Sequence, residues 1–173
     1  MEYEFTLKFK LPTVDADSDE LIERLGDVCG DALVGIGQPG RLALNFTRDT
    51  DSAELAIVSA LTDVKNVIPQ AELVEVAPDF VGLTDVAELM GVTRQNMRKL
   101  MLTHPDGFPA PIHEGSSALW HLAVLLQWLQ GRDGYCIDPL LLDVARTTMQ
   151  VNLTKAASQI ERRIQRVVRE LVE

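Results

Sequence analysis

Residues 3–11 alternate: Tyr3, Phe5, Leu7, Phe9 and Leu11 are apolar, with Glu4, Thr6, Lys8 and Lys10 between them. A period of two puts the two sets on opposite faces of an extended chain, which predicts a half-buried strand ended by Pro12. Leu21, Ile22, Leu25, Val28 and Cys29 then recur at helical spacing. Ahead of them Asp15, Asp17, Ser18, Asp19 and Glu20 supply an N-cap, with Ser18 as the expected cap, and negative charge for the first turn. These carboxylates resemble a cation cluster, but capping and the helix dipole account for them. Two apolar segments, 33–37 and 41–48, flank the turn formers Gln38, Pro39 and Gly40 and predict a hairpin burying Leu42, Leu44 and Phe46. A second helix, residues 52–67, carries Leu55, Ile57, Val58, Leu61 and Val64, and residues 71–77 return to strand character.

Strand, helix, strand, strand, helix, strand within residues 1–78 predicts an α+β chain and resembles the ferredoxin-like split βαβ arrangement. That fold names no function. The stretch has no cysteine cluster, no aromatic and basic pattern of an RNA-binding sheet, and no phosphate loop. Gly35 and Gly37 are too few for a dinucleotide fingerprint and belong to the hairpin. Ala77, Pro78, Asp79 and Phe80 read as a short connector.

Residues 83–100, LTDVAELMGVTRQNMRKL, have the pattern of two short helices packed across a tight turn. Ala87 is small where the second helix crosses, and Gly91, four residues on, suits a left-handed turn residue. Val86, Met90, Val92, Met97 and Leu100 fall inward, leaving Arg94, Gln95, Asn96, Arg98 and Lys99 as outward hydrogen-bond donors. After this pair come FPAPI at 108–112, a turn at Glu114, Gly115, Ser116 and Ser117, then Leu119 and Trp120. A helix follows over 121–129 (HLAVLLQWL). The prolines and glycines of 104–117 exclude helix there and predict a two-stranded wing, with Trp120 folded back as its anchor. Trp120 and Trp128 are expected in the core.

This succession, over residues 81–130, resembles the MerR-type winged helix-turn-helix of the AlpA and excisionase group of small DNA-binding proteins. The resemblance implies that the second helix enters the major groove of double-stranded DNA, with Arg94, Gln95 and Arg98 near bases and Thr93, Asn96 and Lys99 near phosphates. Thr84, His113, Ser116 and Ser117 complete the candidate contacts. The family wing usually carries arginine or lysine, whereas this one carries His113, Glu114, Ser116 and Ser117.

Asp138 is a good N-cap and Pro139 fits a first helical position. No proline or glycine follows. Leu153, Ala157, Ile160, Ile164, Val167 and Leu171 are spaced 4, 3, 4, 3 and 4 apart, the seam of a coiled coil. One helix of about 33 residues would be a rod of about 50 Å. Dimerisation through it is the leading expectation; packing on the N-terminal domain is the rival. The expected units are residues 1–78, 79–132 and 137–173.

The 173 residues carry a net charge of −10, unevenly placed. Residues 1–79 hold 6 basic and 16 acidic side chains, residues 80–132 hold 4 and 4, and residues 133–173 hold 6 and 6. The helix-turn-helix segment is therefore locally neutral and gives little long-range attraction to DNA. Cys29 and Cys136 match no metal or redox spacing. His104, His113 and His121 share no helical face, and no nucleophile and base pair can be assembled, so neither metal, cofactor nor enzyme activity is expected. No membrane span is present, and a cytoplasmic protein is expected.

The leading functional expectation is a transcriptional regulator, a repressor, binding an inverted repeat as a homodimer. One alternative is an antitoxin-type protein whose acidic N-terminal domain neutralises a protein partner. Another is a regulator whose N-terminal domain senses a small ligand.

Overall fold

The computed structural model describes residues 1–12 and 18–172. The helix-start roles expected of Asp15 and Asp17 lie outside the described residues, as does the side chain of Ser18.

The chain is α+β. Strand β1 (Glu2–Lys10), helix α1 (Ser18–Val28), strands β2 (Ala32–Ile36) and β3 (Arg41–Asp49), helix α2 (Ala53–Val67) and strand β4 (Glu72–Ala77) follow in the expected order. They form an antiparallel sheet of order β2-β3-β1-β4. Tyr3, Phe5, Leu7 and Phe9 of β1 join Leu42, Leu44 and Phe46 of β3 in one buried cluster with residues of α1 and α2. The other face is polar: Thr6 Oγ1 donates to Asn45 Oδ1 at 2.8 Å, and Lys8 pairs with Glu75 at 2.9 Å.

α2 meets the sheet through Ala53, Ala56, Ile57, Ala60 and Val64, whereas Leu55 and Val58 are at least half exposed. Small side chains let the helix axis approach the strands closely, so the alanine face is buried and two large apolar residues turn outward. Likewise Leu21 and Leu25 of α1, and Cys29 just beyond it, are buried while Ile22 and Val28 stay exposed at its margin.

The second half contains strand β5 (Phe80–Val81), helices α3 (Leu83–Leu89) and α4 (Arg94–Thr103), strand β6 (Trp120–His121) and helix α5 (Leu122–Gln130). Val81, Val86, Ala87, Met97, Trp120, Leu125 and Leu126 centre its own core. Helix α6 (Pro139–Ala157) starts as expected, with Leu140 N donating to Asp138 Oδ1 at 2.9 Å. α6 serves both cores: Val144 belongs to the sheet cluster, and Leu142 and Ala145 belong to the other.

The expected single C-terminal helix does not form. α6 ends at Ala157, and a separate helix α7 (Arg162–Val172) follows. Two causes act together. Ser158 Oγ donates to the Lys155 carbonyl at 2.6 Å, and Gln159 and Ile160 bond three residues back, which tightens the last turn. Lys155 Nζ is also bound to the Val74 carbonyl, holding the end of α6 against β4. α6 thus packs within its own chain, and the expected seam is divided: Leu153 and Ala157 lie on α6, and Ile164, Val167 and Leu171 lie on α7.

The connector between the sheet and the second core is a bonded junction. Asn152 of α6 accepts from Val76 N at 2.9 Å and donates to Val76 O and to Asp79 Oδ2, both at 2.8 Å. Thr148 Oγ1 donates to Pro78 O at 2.6 Å. The other Asp79 oxygen faces His121 Nδ1 at 2.6 Å, and the Asp79 carbonyl accepts from Leu122 N at 2.7 Å. On the other side of β1, Arg48 of β3 holds Asp31 through two bonds, of 2.6 and 3.0 Å, and reaches Asp63 and Ser59 at 2.9 Å.

Asp79→Ala would leave one N–H of Asn152 and Nδ1 of His121 without an acceptor, while Asn152 keeps the Val76 carbonyl. It is expected to cost about 1–3 kcal/mol and to split urea unfolding into two transitions as the cores uncouple; a single transition at the wild-type midpoint would contradict this. The Arg48 guanidinium holds the Asp31 carboxyl below the usual carboxylate range. That stabilisation is complete above the unfolded value of about 3.9 and is lost as pH falls through the folded value. Asp31→Asn should therefore destabilise the protein at pH 7, by a margin that shrinks in urea titrations run progressively below about pH 4.

Candidate nucleic-acid interface

The turn between α3 and α4 is built by its own backbone. Gly91 has φ +65°, Val92 N donates to the Ala87 carbonyl at 2.9 Å, and Gly91 N donates to Glu88 O at 3.1 Å. This is the Schellman pattern, in which a left-handed residue closes the carbonyls of the preceding helix end. Asp85 Oδ2 accepts from Gly82 N at 2.7 Å at the start of α3, and Thr93 Oγ1 accepts from Asn96 N at 3.1 Å at the start of α4. Both helices are short, and both ends facing the turn are satisfied.

Val86, Ala87 and Met97 are fully buried, with Met90, Val92 and Leu100 packed against them. Burying that face commits the opposite one to solvent. Arg94, Gln95, Asn96, Arg98 and Lys99 are all exposed. Among the described residues, the side chains of Arg94, Arg98 and Lys99 have no hydrogen-bond or ion-pair partner, unlike Lys8, Lys10 and Arg48 of the sheet. Arg94 and Arg98 lie four residues apart on one α4 face, and Gln95 and Lys99 lie four apart beside them. Thr93 serves first as the cap.

The segment after α4 differs from a two-stranded wing. Its arms meet at one isolated bridge, His113 with Leu119. The returning chain instead gives β6, which pairs antiparallel with β5 ahead of the helix pair. Prolines 105, 109 and 111 deprive the outgoing arm of ladder donors, so its partner is found elsewhere. Trp120 is the expected anchor: it is buried, and its Nε1–H donates to Pro109 O at 2.9 Å. Trp128 is only half buried, packed edge-on by Phe108 and His104, with the Arg132 guanidinium 3.7 Å above its ring.

The turn and the helix pair enclose a cleft of about 330 Å³ lined in part by Thr84, Arg94, Glu114, Ser116, Ser117 and Trp120. Four expected contact residues, Thr84, Arg94, Ser116 and Ser117, therefore come together. Gln95, Asn96, Arg98 and Lys99 lie on the exposed surface of α4, and His113 folds over the turn tip, its Nε2 2.6 Å from where a Cβ on Gly115 would stand. Glu114 puts a carboxylate at the cleft mouth, which disfavours phosphate there and leaves the hydroxyls of Ser116 and Ser117 as donors.

Of the three histidines, His121 is held at Nδ1 by Asp79. No group of three or more His, Cys, Asp or Glu is placed to hold a metal ion among the described residues. Nor is any helix there long and apolar enough to cross a membrane. Comparison of the chain with family models, curated proteins and solved structures found no match in any of the three.

A Cβ at Gly91 would meet nothing within 4 Å, so the cost of Gly91→Ala is conformational. The substitution is expected to lower stability by about 1–2 kcal/mol in thermal unfolding and to impair whatever α4 binds; an unchanged melting temperature would show that the turn had rearranged.

Proposed function

We propose that this chain is a sequence-specific DNA-binding transcriptional regulator, a repressor, that acts as a dimer. The N-terminal unit is read as ferredoxin-like and residues 79–132 as a winged helix-turn-helix of the MerR and AlpA type. One observation carries the reading: a self-locked helix pair presents five adjacent donor side chains on its second helix. The three cations among them are unpaired on a molecule whose net charge is −10.

In this reading α4 lies in the major groove. Arg94 and Arg98 have the fork geometry for guanine edges, Gln95 suits adenine, and Asn96 and Lys99 flank them toward phosphates. The N-terminus of α4 adds positive dipole to the phosphate side. Ser116 and Ser117 reach the backbone across the cleft, making the turn a hydroxyl wing where the MerR and AlpA type uses cations. Two copies related by a twofold axis would address half-sites about 34 Å apart, or a multiple of that. Occupying a promoter is the simplest way for such a dimer to repress.

The test is fluorescence anisotropy on DNA from upstream of the chain's own gene, over a range of salt concentrations. Arg98→Ala should weaken binding to the preferred sequence about tenfold and flatten its preference, with an unchanged circular dichroism spectrum. Lys99→Ala should weaken all sequences alike and reduce the salt slope by about 1. Binding that is insensitive to both substitutions and to salt would refute the reading.

A further inference from the structure

α7 has no buried residue. Its apolar side chains fall at Ile164, Val167, Val168, Leu171 and Val172, spaced i, i+3, i+4, i+7 and i+8, which is one stripe down one face. All five are at least 45% exposed, and Leu171 reaches 80%. An isolated helix of 11 residues is marginal in water, so a stripe of this kind is stable only when covered.

The charges beside the stripe say what covers it. Arg163 directly precedes Ile164 and Glu170 directly precedes Leu171, so both lie on the same flank, two turns apart and opposite in sign. We propose that α7 pairs antiparallel with α7 of a second copy, Arg163 of each chain facing the partner's Glu170. A twofold axis crossing the helix near Arg166 makes both ion pairs at once and sets Ile164 against the partner's Val167. A parallel, in-register pair would place Arg163 on the opposite flank from the partner's Arg163 and beside its Val168, so neither ion pair could form. Flanking charges of this kind decide orientation in helix pairs. The pattern is self-complementary in one orientation only.

Residues 158–161 detach α7 from α6, whose own apolar side is already spent on the two cores, so α7 is free to present its stripe outward. The seam spans about 16 Å and covers less than the roughly 1,200 Å² of a stable interface. The pair is therefore weak, concentration-dependent and salt-sensitive. The proposal deepens the dimeric reading above and is independent of which DNA is bound.

The experiment is sedimentation of the full chain without DNA. R163E and E170R should each raise the dimer dissociation constant about tenfold, because each single swap replaces two attractions with two repulsions. The double swap should restore it to near the wild-type value. Single swaps without effect, or a double swap that does not restore association, would overturn antiparallel pairing. A competing site for the partner's α7 is the groove of about 530 Å³ between α2 and α6, lined in part by Val58, Leu73 and Val151. Val58→Glu should leave association unchanged; its loss would place the partner's α7 in that groove and overturn the proposal. A chain that is monomeric throughout would overturn both the pairing and the dimeric reading, while anisotropy on a single half-site would still test DNA binding by one copy.

Discussion

Asp79 is 1% exposed, and both its carboxylate oxygens are taken, one by His121 and one by Asn152. Burying an unpaired carboxylate costs several kcal/mol, so this residue is tolerable only while its partners stay in place. Those partners sit on different elements. His121 ends the strand that closes the second core, and Asn152 lies on α6, where it also binds both backbone groups of Val76 at the sheet edge. A buried acid at the junction therefore makes the sheet, α6 and the helix pair interdependent. An apolar residue there could be stable, but it would not fix the angle between the cores so narrowly.

That fixed angle matters for the proposed function. A recognition surface is useful only if its side chains return to the same place each time, and α3 and α4 are too short to hold their position alone. Their turn is locked locally by Gly91 and Val92, and their core is closed by Trp120. Their attachment to the rest of the molecule runs through β5, β6 and the Asp79 junction. The sheet edge is settled by the same contacts: Asn152 and Lys155 occupy the backbone groups of Val76 and Val74, so β4 offers fewer free groups to a foreign strand.

Much of this was legible along the chain wherever a local rule acts alone. The alternation of Tyr3 to Phe9 can be satisfied only by a strand with one buried face, and Gly91 followed by Val92 has few solutions after a helix. What was hidden depended on long-range choices. Asp79 beside Pro78 has the local signature of a turn, and only the side chains of α6 and His121 make it a buried hub. The rotation of α2 was hidden because alanine carries little hydrophobic signal, yet a sheet selects it for close approach. The break after Ala157 has no proline or glycine to announce it; it comes where the core stops and Ser158 and Lys155 bind backbone carbonyls. Of the candidate contacts, the exposed side of α4 followed from its buried side, whereas the cleft joining Thr84 and Arg94 to Ser116 and Ser117 required knowing how the proline-rich arm returns.

Charge placement links the two proposals. The acidic surplus belongs to the N-terminal unit, where Lys8, Lys10 and Arg48 are each paired with a carboxylate. To a polyanion that unit is repulsive, and the unpaired cations of α4 lie in the locally neutral segment outside it. Such a molecule gains orientation from its charge but little affinity, because few phosphates are neutralised by one copy and the counterion release is correspondingly small. A second recognition helix held on the same particle converts the second contact into an intramolecular one, so overall affinity rises without any new contact at either site. A weak α7 seam is enough for that purpose, because DNA carrying both half-sites stabilises the pair that binds it. It also makes occupancy depend steeply on protein concentration, the property a repressor of its own promoter would need.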